Sequence, residues 1–546
     1  MSLKKSILRG EPMIWFTGSA LGVSILMILG LIGVILVNGL TFFWPAALWQ
    51  VTLKDGGVFL GEQVSREPIP NPGQPDHNQR SRVLLRVGNR DVFGIDFKWI
   101  DEDQIGSRER PAHAFFIERR EYGPLIGTPV SITREGQELA AGPEAVATAL
   151  PDLVRQAARD RAAIERIEKG EIGDINYRIE QARLRTRRLE LQAAKDPGRD
   201  VSREREAVEK AAAEQKALYE KKTEELAALL ERAATTYLTV KTADGQEKQL
   251  RTLDIYRAYP ANQLSWAGRL GVYSSRLWAF FSEDPRESNT EGGIFPAIFG
   301  TVMMVVIMSI VVVPLGVLAA LYLREYAKQG PLVRTVRIAV NNLAGVPSIV
   351  FGVFGLGFFV YFVGGTIDRL FFPEALPAPT YGTGGILWAS LTLALLTVPV
   401  VIVASEEALA AVPRSMREAS LAMGATKFQT ILRVVLPAAA PGILTGLILA
   451  MARAAGEVAP LMLVGVVKLA PELPLDGFFP FFHLDRKFMH LGFHIHDVGF
   501  QSPNVEAAKP MVYTTTIFLL VIVVLLNMTA IVVRNRLREK YKTGAF

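Results

Sequence analysis

Half of the residues in this chain are hydrophobic and 21% are charged, yet the two classes are segregated along the sequence. The apolar residues collect in blocks long enough to cross ~30 Å of hydrocarbon as a helix, which takes about 20 residues. Six blocks qualify: about Met13 to Val37, Ile294 to Leu323, Ile338 to Val363, Ile386 to Ala404, Pro437 to Val464, and Met511 to Val533. The first follows Lys4, Lys5 and Arg9, exceeds a signal-peptide core in length and lacks a small-residue cleavage site. It is therefore expected to be an uncleaved anchor.

Six spans put both chain ends on one side of the bilayer. Basic clusters then mark that side. They lie at the N-terminus, at Arg324, Lys328, Arg334 and Arg337, in the loop 405–436, and at Arg534, Arg536, Arg538, Lys540 and Lys542. The positive-inside bias makes all four segments cytoplasmic. It also accounts for a net charge of +6 without a nucleic-acid partner, and none is expected. The chain has no cysteine, which excludes disulfides and thiolate metal sites. The expected division is 1–40 as a cytoplasmic end and anchor, 41–290 as an extracytoplasmic insertion, and 291–546 as a core with five spans.

The insertion reads as α+β. Residues 51–133 carry short β-like runs, Arg82 to Val87 and Val92 to Trp99 among them, broken by Gly88-Asn89 and by the Pro/Gly loop Glu67 to Pro75. Farther on, Ile172, Ile175, Ile179, Ala182, Thr186, Leu189 and Ala193 alternate by three and four. After Asp196-Pro197-Gly198 a weaker series follows: Val208, Ala212, Gln215, Tyr219, Lys222, Leu226, Leu229 and Ala233. Two striped helices joined by a Pro-Gly turn predict an antiparallel helical hairpin over about 150–235, projecting from the membrane. Such a hairpin is either a spacer or packing scaffold, or a docking arm for a binding protein or regulator. Tyr237 to Thr242 returns to β structure, with Asp244-Gly245 as a hairpin turn. The predicted fold class is a polytopic α-helical membrane protein with six transmembrane helices and this extracytoplasmic insertion.

Between the fourth and fifth blocks the sequence runs from Glu406 through Arg414, Arg417, Glu418-Ala419-Ser420 and Gly424-Ala425 to Leu436-Pro437. Small residues let a short helix press close to a partner, and a glycine permits the turn that follows. Pro437 suits the first turn of the next span, where its missing N–H costs nothing. Within the fifth block stand Arg453 and Glu457, four residues apart. Charges in a span are expensive, on the order of 3 kcal/mol each, and point to function. On a helix the two can pair. Either Arg453 offers its forked cation to a passing oxyanion while Glu457 orients it, or the pair only fixes helix packing. Pro460 suggests a broken helix of the kind that lines transport pathways. The chain contains no GxxxxGK[ST], so it has no P-loop for ATP.

Residues 405–436 resemble the coupling-loop signature of ABC importer permeases, EAA-x3-G-x9-I-x-LP. Glu418, Ala419, Gly424, Leu436 and Pro437 stand on register, while Ser420 replaces the third small residue and Val434 the isoleucine. Three segments are similar to the A-type permease subunit of phosphate ABC importers: Glu406 to Phe428, Leu436 to Leu461, and Asn342 to Gly352. The likeness covers roughly residues 290–535. It implies the type I ABC importer permease fold and an inner-membrane location. It implies Arg453 and Glu457 in the substrate pathway, and contact of Glu418, Ala419, Ser420, Gly424, Ala425, Leu436 and Pro437 with an ATPase. The implied partners are a homologous second permease subunit, an ATPase dimer and an extracytoplasmic phosphate-binding protein. The family usually has threonine where Val458 stands, and the insertion resembles a long N-terminal extension of one bacterial branch.

His483, His490, His494 and His496 crowd one loop beside Asp485 and Asp497, among Phe478, Phe479, Phe481, Phe482 and Phe493. The histidines could hold Zn²⁺ or Cu²⁺, but no metalloprotein spacing is present, and no metal or other cofactor is expected. The phenylalanines equally suit an interfacial hairpin. No nucleophile–base constellation supports catalysis. The rival readings are a permease for molybdate, tungstate or sulfate and, more distantly, a membrane-anchored coiled-coil scaffold or sensor.

Overall fold

The structure, a computed structural model, describes residues 11–69, 80–502 and 505–542. Lys4, Lys5, Arg9 and residues 70–75 of the Pro/Gly loop lie outside the described residues. Six helices among the described residues are long and apolar enough to cross a membrane: Met13–Thr41, Phe295–Tyr326, Ser348–Phe371, Ile386–Ala411, Lys427–Gly456 and Val505–Lys540. They are called spans one to six below.

Two spans differ from expectation, for the same kind of reason. The third was expected from Ile338 but begins at Ser348. Its expected start instead belongs to a separate amphipathic helix, Pro331–Leu343, which breaks where Val346 precedes Pro347. A residue before proline is pushed out of the α region, so the apolar run could not be one helix. The fifth span begins at Lys427, ten residues before Pro437, and stops at Gly456 instead of near Val464. Pro437 does stand in the first turn of the α-helix Leu436–Gly456, but the span itself starts earlier. Pro437 follows a π turn over Ile431–Val435 that lets the chain continue past a residue with no N–H.

The membrane core is organised around spans two, four and five. Met304, Met308 and Val312 pack with Leu393, Val401, Ala450 and Ala454, all buried. Small residues set the spacing. A Cβ on Gly316 would sit 2.6 Å from the Val401 side chain, and one on Gly446 2.6 Å from that of Ala404. Close backbone approach of this kind is how helices adhere where lipid removes the hydrophobic drive. Span one lies apart, and its apolar window has no buried residue. Only its end docks, with Gly39 against Thr514 and Ile517 of span six.

The insertion contains two antiparallel sheets. The first joins β1 (Leu48–Leu53), β2 (Val58–Pro68), β3 (Ser81–Arg86), β4 (Phe97–Asp101) and β5 (Ile105–Glu109) in the order β4-β3-β2-β1-β5. The second contains β6 (Phe115–Arg119), β7 (Leu125–Arg134), β8 (Gln137–Ala141), β9 (Thr236–Lys241), β10 (Glu247–Arg251) and β11 (Ile255–Pro260). Its order is β10-β9-β7-β6-β11, with β8 on β7. The run Val92 to Trp99, expected as a strand, splits into a helical turn, Arg90–Phe93, and β4. Gly88 and Asn89 both have positive φ, and the Asn89 side chain bonds both the N–H and the C=O of Ile126. The turn therefore reverses toward β7 before the strand can start.

The helical hairpin is present and longer than the stripes suggested. Its outgoing arm comprises Pro143–Glu165, a π turn at Arg166–Glu171, and Ile172–Lys195; the return arm is Ser202–Ala233. Ile172, Ile175 and Leu189 are buried on the first arm, but only Val208 on the second. Lys222, which interrupts the second stripe, reaches Glu171 of the first arm at 2.7 Å. The hairpin does not project away. Tyr177 stacks on Phe478 with centroids 4.2 Å apart and donates to the Phe479 carbonyl at 3.1 Å. Arg188 forms an ion pair with the buried Glu374 of the loop after span three. The hairpin lies down on two loops of the core, and the phenylalanine-rich run is one of its seats.

A second amphipathic helix, Trp266–Ser282, leads from β11 toward span two and is capped by Ser265, whose hydroxyl accepts from Gly268 N–H. A short ribbon of β12 (Pro285–Arg286) and β13 (Glu291–Gly292) completes the link.

Candidate functional site

Span five carries the charged pair. Its helix ends at Gly456, and Glu457 is already extended at φ −79°, ψ 132°. Pro460 and the residue before it resist further α turns, so only a short helix, Leu461–Val464, follows before Gly465 at φ 150°. Arg453 Nε lies 3.6 Å from Glu457 Oε1, and the pair bridges the helix end. Ala454 and Ala455 are fully buried, whereas Arg453 and Glu457 keep 35% and 21% of their side chains exposed on the other side. The charges therefore sit on an open face beside a helix terminus, where unsatisfied carbonyls also gather.

The break is held from three directions. A Cβ on Gly352 of span three would lie 2.7 Å from Pro460 Cα, and one on Gly355 would strike Thr392 of span four. The N–H of Gly385, at the entry to span four, donates to Val464 O at 3.0 Å. Beyond the break the chain folds back as a re-entrant segment against span four, with Ile386 and Leu387 donating to Arg486 and Leu484 carbonyls. The hydropathy pattern gave no sign of this segment.

At the opposite end of spans four and five lies the helix Arg414–Ala422, none of whose residues is buried. Glu418 and Ala419 are exposed, as are Leu421 (48%), Met423 (88%) and Phe428 (63%). A helix and turn carrying that much bare apolar surface together fit a covering partner. It is held at φ 85° by Gly424, and a Cβ there would meet no atom within 4 Å. Ala425 leads into Thr426, which forms a capping box with Gln429 at the start of span five. Ser420 and Thr430 hydroxyls are 2.9 Å apart, tying the helix to that span. Leu436 packs with Ala408, Leu409 and Val435 where spans four and five meet, and it and Pro437 are half-buried there.

Residues that sequence reasoning missed complete the arrangement. Arg417 donates to the carbonyls of Leu409 at 2.7 Å and Val412 at 2.6 Å, and pairs with Glu325 at 3.1 Å. Lys427 donates to the Glu325 carbonyl. Arg337 pairs with Glu406 at 3.2 Å. These contacts join the basic segments 324–337 and 405–436 at one end of the molecule. Their charge was visible in the sequence; the partners that join the two segments, 69 to 102 residues away, were not.

The four histidines are not brought together. His483 pairs with Asp476 at 2.8 Å, and His496 stacks on Phe500 at 5.3 Å. His490 is fully buried and accepts from Gly492 N–H, and His494 is buried one turn on. Among the described residues no group of three or more His, Cys, Asp or Glu is placed to hold a metal.

Residues 312–542 match the family of binding-protein-dependent transport system inner membrane components. The phosphate transport system permease protein PstA of Mycobacterium leprae (strain TN) is 41% identical over 175 residues, covering 32% of this chain and 52% of that protein. The probable ABC transporter permease protein YqgI of Bacillus subtilis (strain 168) is 31% identical over 223 residues, covering 40% of this chain and 70% of that one. The probable phosphate permease PstA of Methanocaldococcus jannaschii is 34% identical over 189 residues, 34% of this chain and 60% of its own length. Over the M. leprae relative the chain spans about half the length. Among solved structures, an inward-facing MetNI methionine ABC transporter aligns at 20% identity and TM-score 0.33, covering 48% of this chain and 98% of that one.

Proposed function

This chain belongs to the binding-protein-dependent transport system inner membrane components, and from that premise we propose that it forms half of a translocation pathway for inorganic phosphate. The observation that carries the reading is the Arg453–Glu457 pair at the broken end of span five, inside the residues 312–542 that match the family. A guanidinium on an open face offers an oxyanion two parallel N–H donors. Glu457 competes for that cation and keeps the anion from settling. The other half of the pathway is supplied by a second, homologous permease laid against this open face.

Work comes from elsewhere. The exposed helix Arg414–Ala422, with Glu418, Ala419 and Ser420, is the surface on which a separate ATPase dimer closes. Gly424 and Ala425 form its hinge, with Leu436 and Pro437 half-buried where spans four and five meet. Movement there passes along span five to the break as a rigid-body displacement. An extracytoplasmic phosphate-binding protein delivers the ion. The chain ends and the segments 324–337 and 405–436 lie on the cytoplasmic side, the insertion on the other.

The test is ATP-driven uptake of radiolabelled phosphate by proteoliposomes holding the whole assembly. Arg453→Ala is expected to lower uptake by about a hundredfold or more, with assembly intact, while Arg453→Lys retains part of it. Normal uptake by Arg453→Ala would make the pair structural. Uptake of molybdate, tungstate or sulfate in place of phosphate would leave the coupling scheme standing and change the cargo.

A further inference from the structure

A cavity of about 460 Å³ lies where the insertion meets the membrane core. Thr41 and Trp44 at the end of span one and Pro510 and Met511 of span six line it from the membrane side. Strands β2 and β3, the Trp266–Ser282 helix and the β12–β13 ribbon line it from the insertion. A volume of this order is typical of small-molecule sites.

Most charges along its wall are already paired. Arg86 meets Glu291 at 3.0 Å, and Glu118 holds both Arg257 at 2.8 Å and Arg276 at 2.6 Å. Arg286 differs. Its guanidinium stacks over Tyr256 at 4.0 Å, and both Nε and Nη1 are buried with no hydrogen-bond acceptor among the described residues. Arg286 is half-buried, but each of these buried donors left idle is costly, and an anion at either edge of the guanidinium relieves part of the cost.

A second observation indicates what carries the anion. On the Trp266–Ser282 helix, Phe280 is buried between Phe43 and Phe518, both 5.4 Å away, while Trp266 and Trp278 are 70% and 71% exposed. Tryptophans left bare beside span ends sit at the headgroup level of a bilayer. The cavity occupies that level and combines an anion acceptor with aromatic walls. We propose that it seats the phosphate-bearing headgroup of a membrane lipid, whose anionic oxygens accept from an idle donor on one edge of the Arg286 guanidinium. Inorganic phosphate shares that oxyanion chemistry; the aromatic lining and the position between two span ends favour the lipid. Bound there, the lipid ties spans one and six to the insertion.

The experiment uses the full assembly reconstituted in nanodiscs of phosphatidylethanolamine and phosphatidylglycerol. It is then transferred to detergent, washed and weighed by native mass spectrometry. Wild type is expected to keep a phospholipid, and Arg286→Gln to lose it about tenfold or more. Arg286→Lys should fall between them, since it keeps the charge but not the planar, fixed donors. Val64→Trp narrows the cavity from a partly exposed strand position, leaves Arg286 in place, and is expected to lose the lipid as Gln does. Equal retention in wild type, Arg286→Gln and Val64→Trp overturns the proposal. Radiolabelled inorganic phosphate is titrated in parallel, and no Arg286-dependent binding is expected. Arg286-dependent phosphate binding that displaces the lipid would overturn the lipid as occupant.

Discussion

At Gly424 the need for glycine is conformational. The backbone has φ 85°, and the space where a Cβ would project is empty. Gly424→Ala is therefore expected to cost about 1–2 kcal/mol in the turn, Gly424→Asn less and Gly424→Val more. Coupled ATP hydrolysis in the assembly should fall in the order Gly, Asn, Ala, Val; equal rates for all four would mean the turn does not position the helix. A second residue-scale expectation concerns the insertion. Burial alone would raise the Asp91 carboxyl, but Arg119 at 2.9 Å and Lys248 at 3.1 Å hold it down to about 2. A depressed carboxyl stabilises the fold above its unfolded value near ~3.9, and that contribution is lost as pH falls toward about 2. Thermal melts of the chain should lose stability across that window, and Asp91→Asn should flatten the loss while lowering stability at pH 7. At this scale the sequence revealed charges wherever a charge is improbable, as at Arg453. It concealed Arg417, because an arginine in a basic loop looks ordinary until its carbonyl partners are known.

Elements were legible where one physical signal dominated. Six apolar blocks gave six long helices, since the cost of unpaired backbone in lipid leaves little alternative. Their ends were less legible, because prolines act locally and hydropathy averages over a window. Val346-Pro347 separated an amphipathic helix from span three, and Pro437 was absorbed by a π turn. The re-entrant segment after Gly465 is irregular, and its backbone bonds go partly to itself, as from Val467 to Phe488, and partly to the entry of span four, so periodicity could not mark it. The helix Arg414–Ala422, proposed above as the ATPase contact, is tied to spans two and four by one residue. Arg417 satisfies two terminal carbonyls of span four while reaching Glu325 at the end of span two. Arg417→Ala should leave the ATPase bound but reduce ATP-driven phosphate uptake about tenfold, as the helix loses its tie to both spans. Co-purification alongside uptake checks this, and loss of the ATPase itself would make Arg417 a docking residue.

For the whole molecule, the outstanding relation is between the hairpin and the core. The stripes of Ile172 to Ala193 showed that a hairpin exists, but not where it rests, because Tyr177 and Arg188 meet partners 302 and 186 residues away. The chain has no cysteine, so a single engineered pair can report on that contact. Tyr177→Cys with Phe478→Cys is expected to cross-link under mild oxidation, and Leu218→Cys with Phe478→Cys is not. Failure of the first pair would detach the arm from the core.

That resting position has a mechanical consequence. From Pro143 to Lys195 the outgoing arm is helical almost without interruption, which at 1.5 Å per residue makes a rod about 80 Å long. One end is rooted in the second sheet, and its outer third bears, at Tyr177 and Arg188, on the loops that follow span three and precede span six. A rod held near both ends is a strut. Displacement of those loops is carried along it to the sheet at its root, about 50 Å from Tyr177.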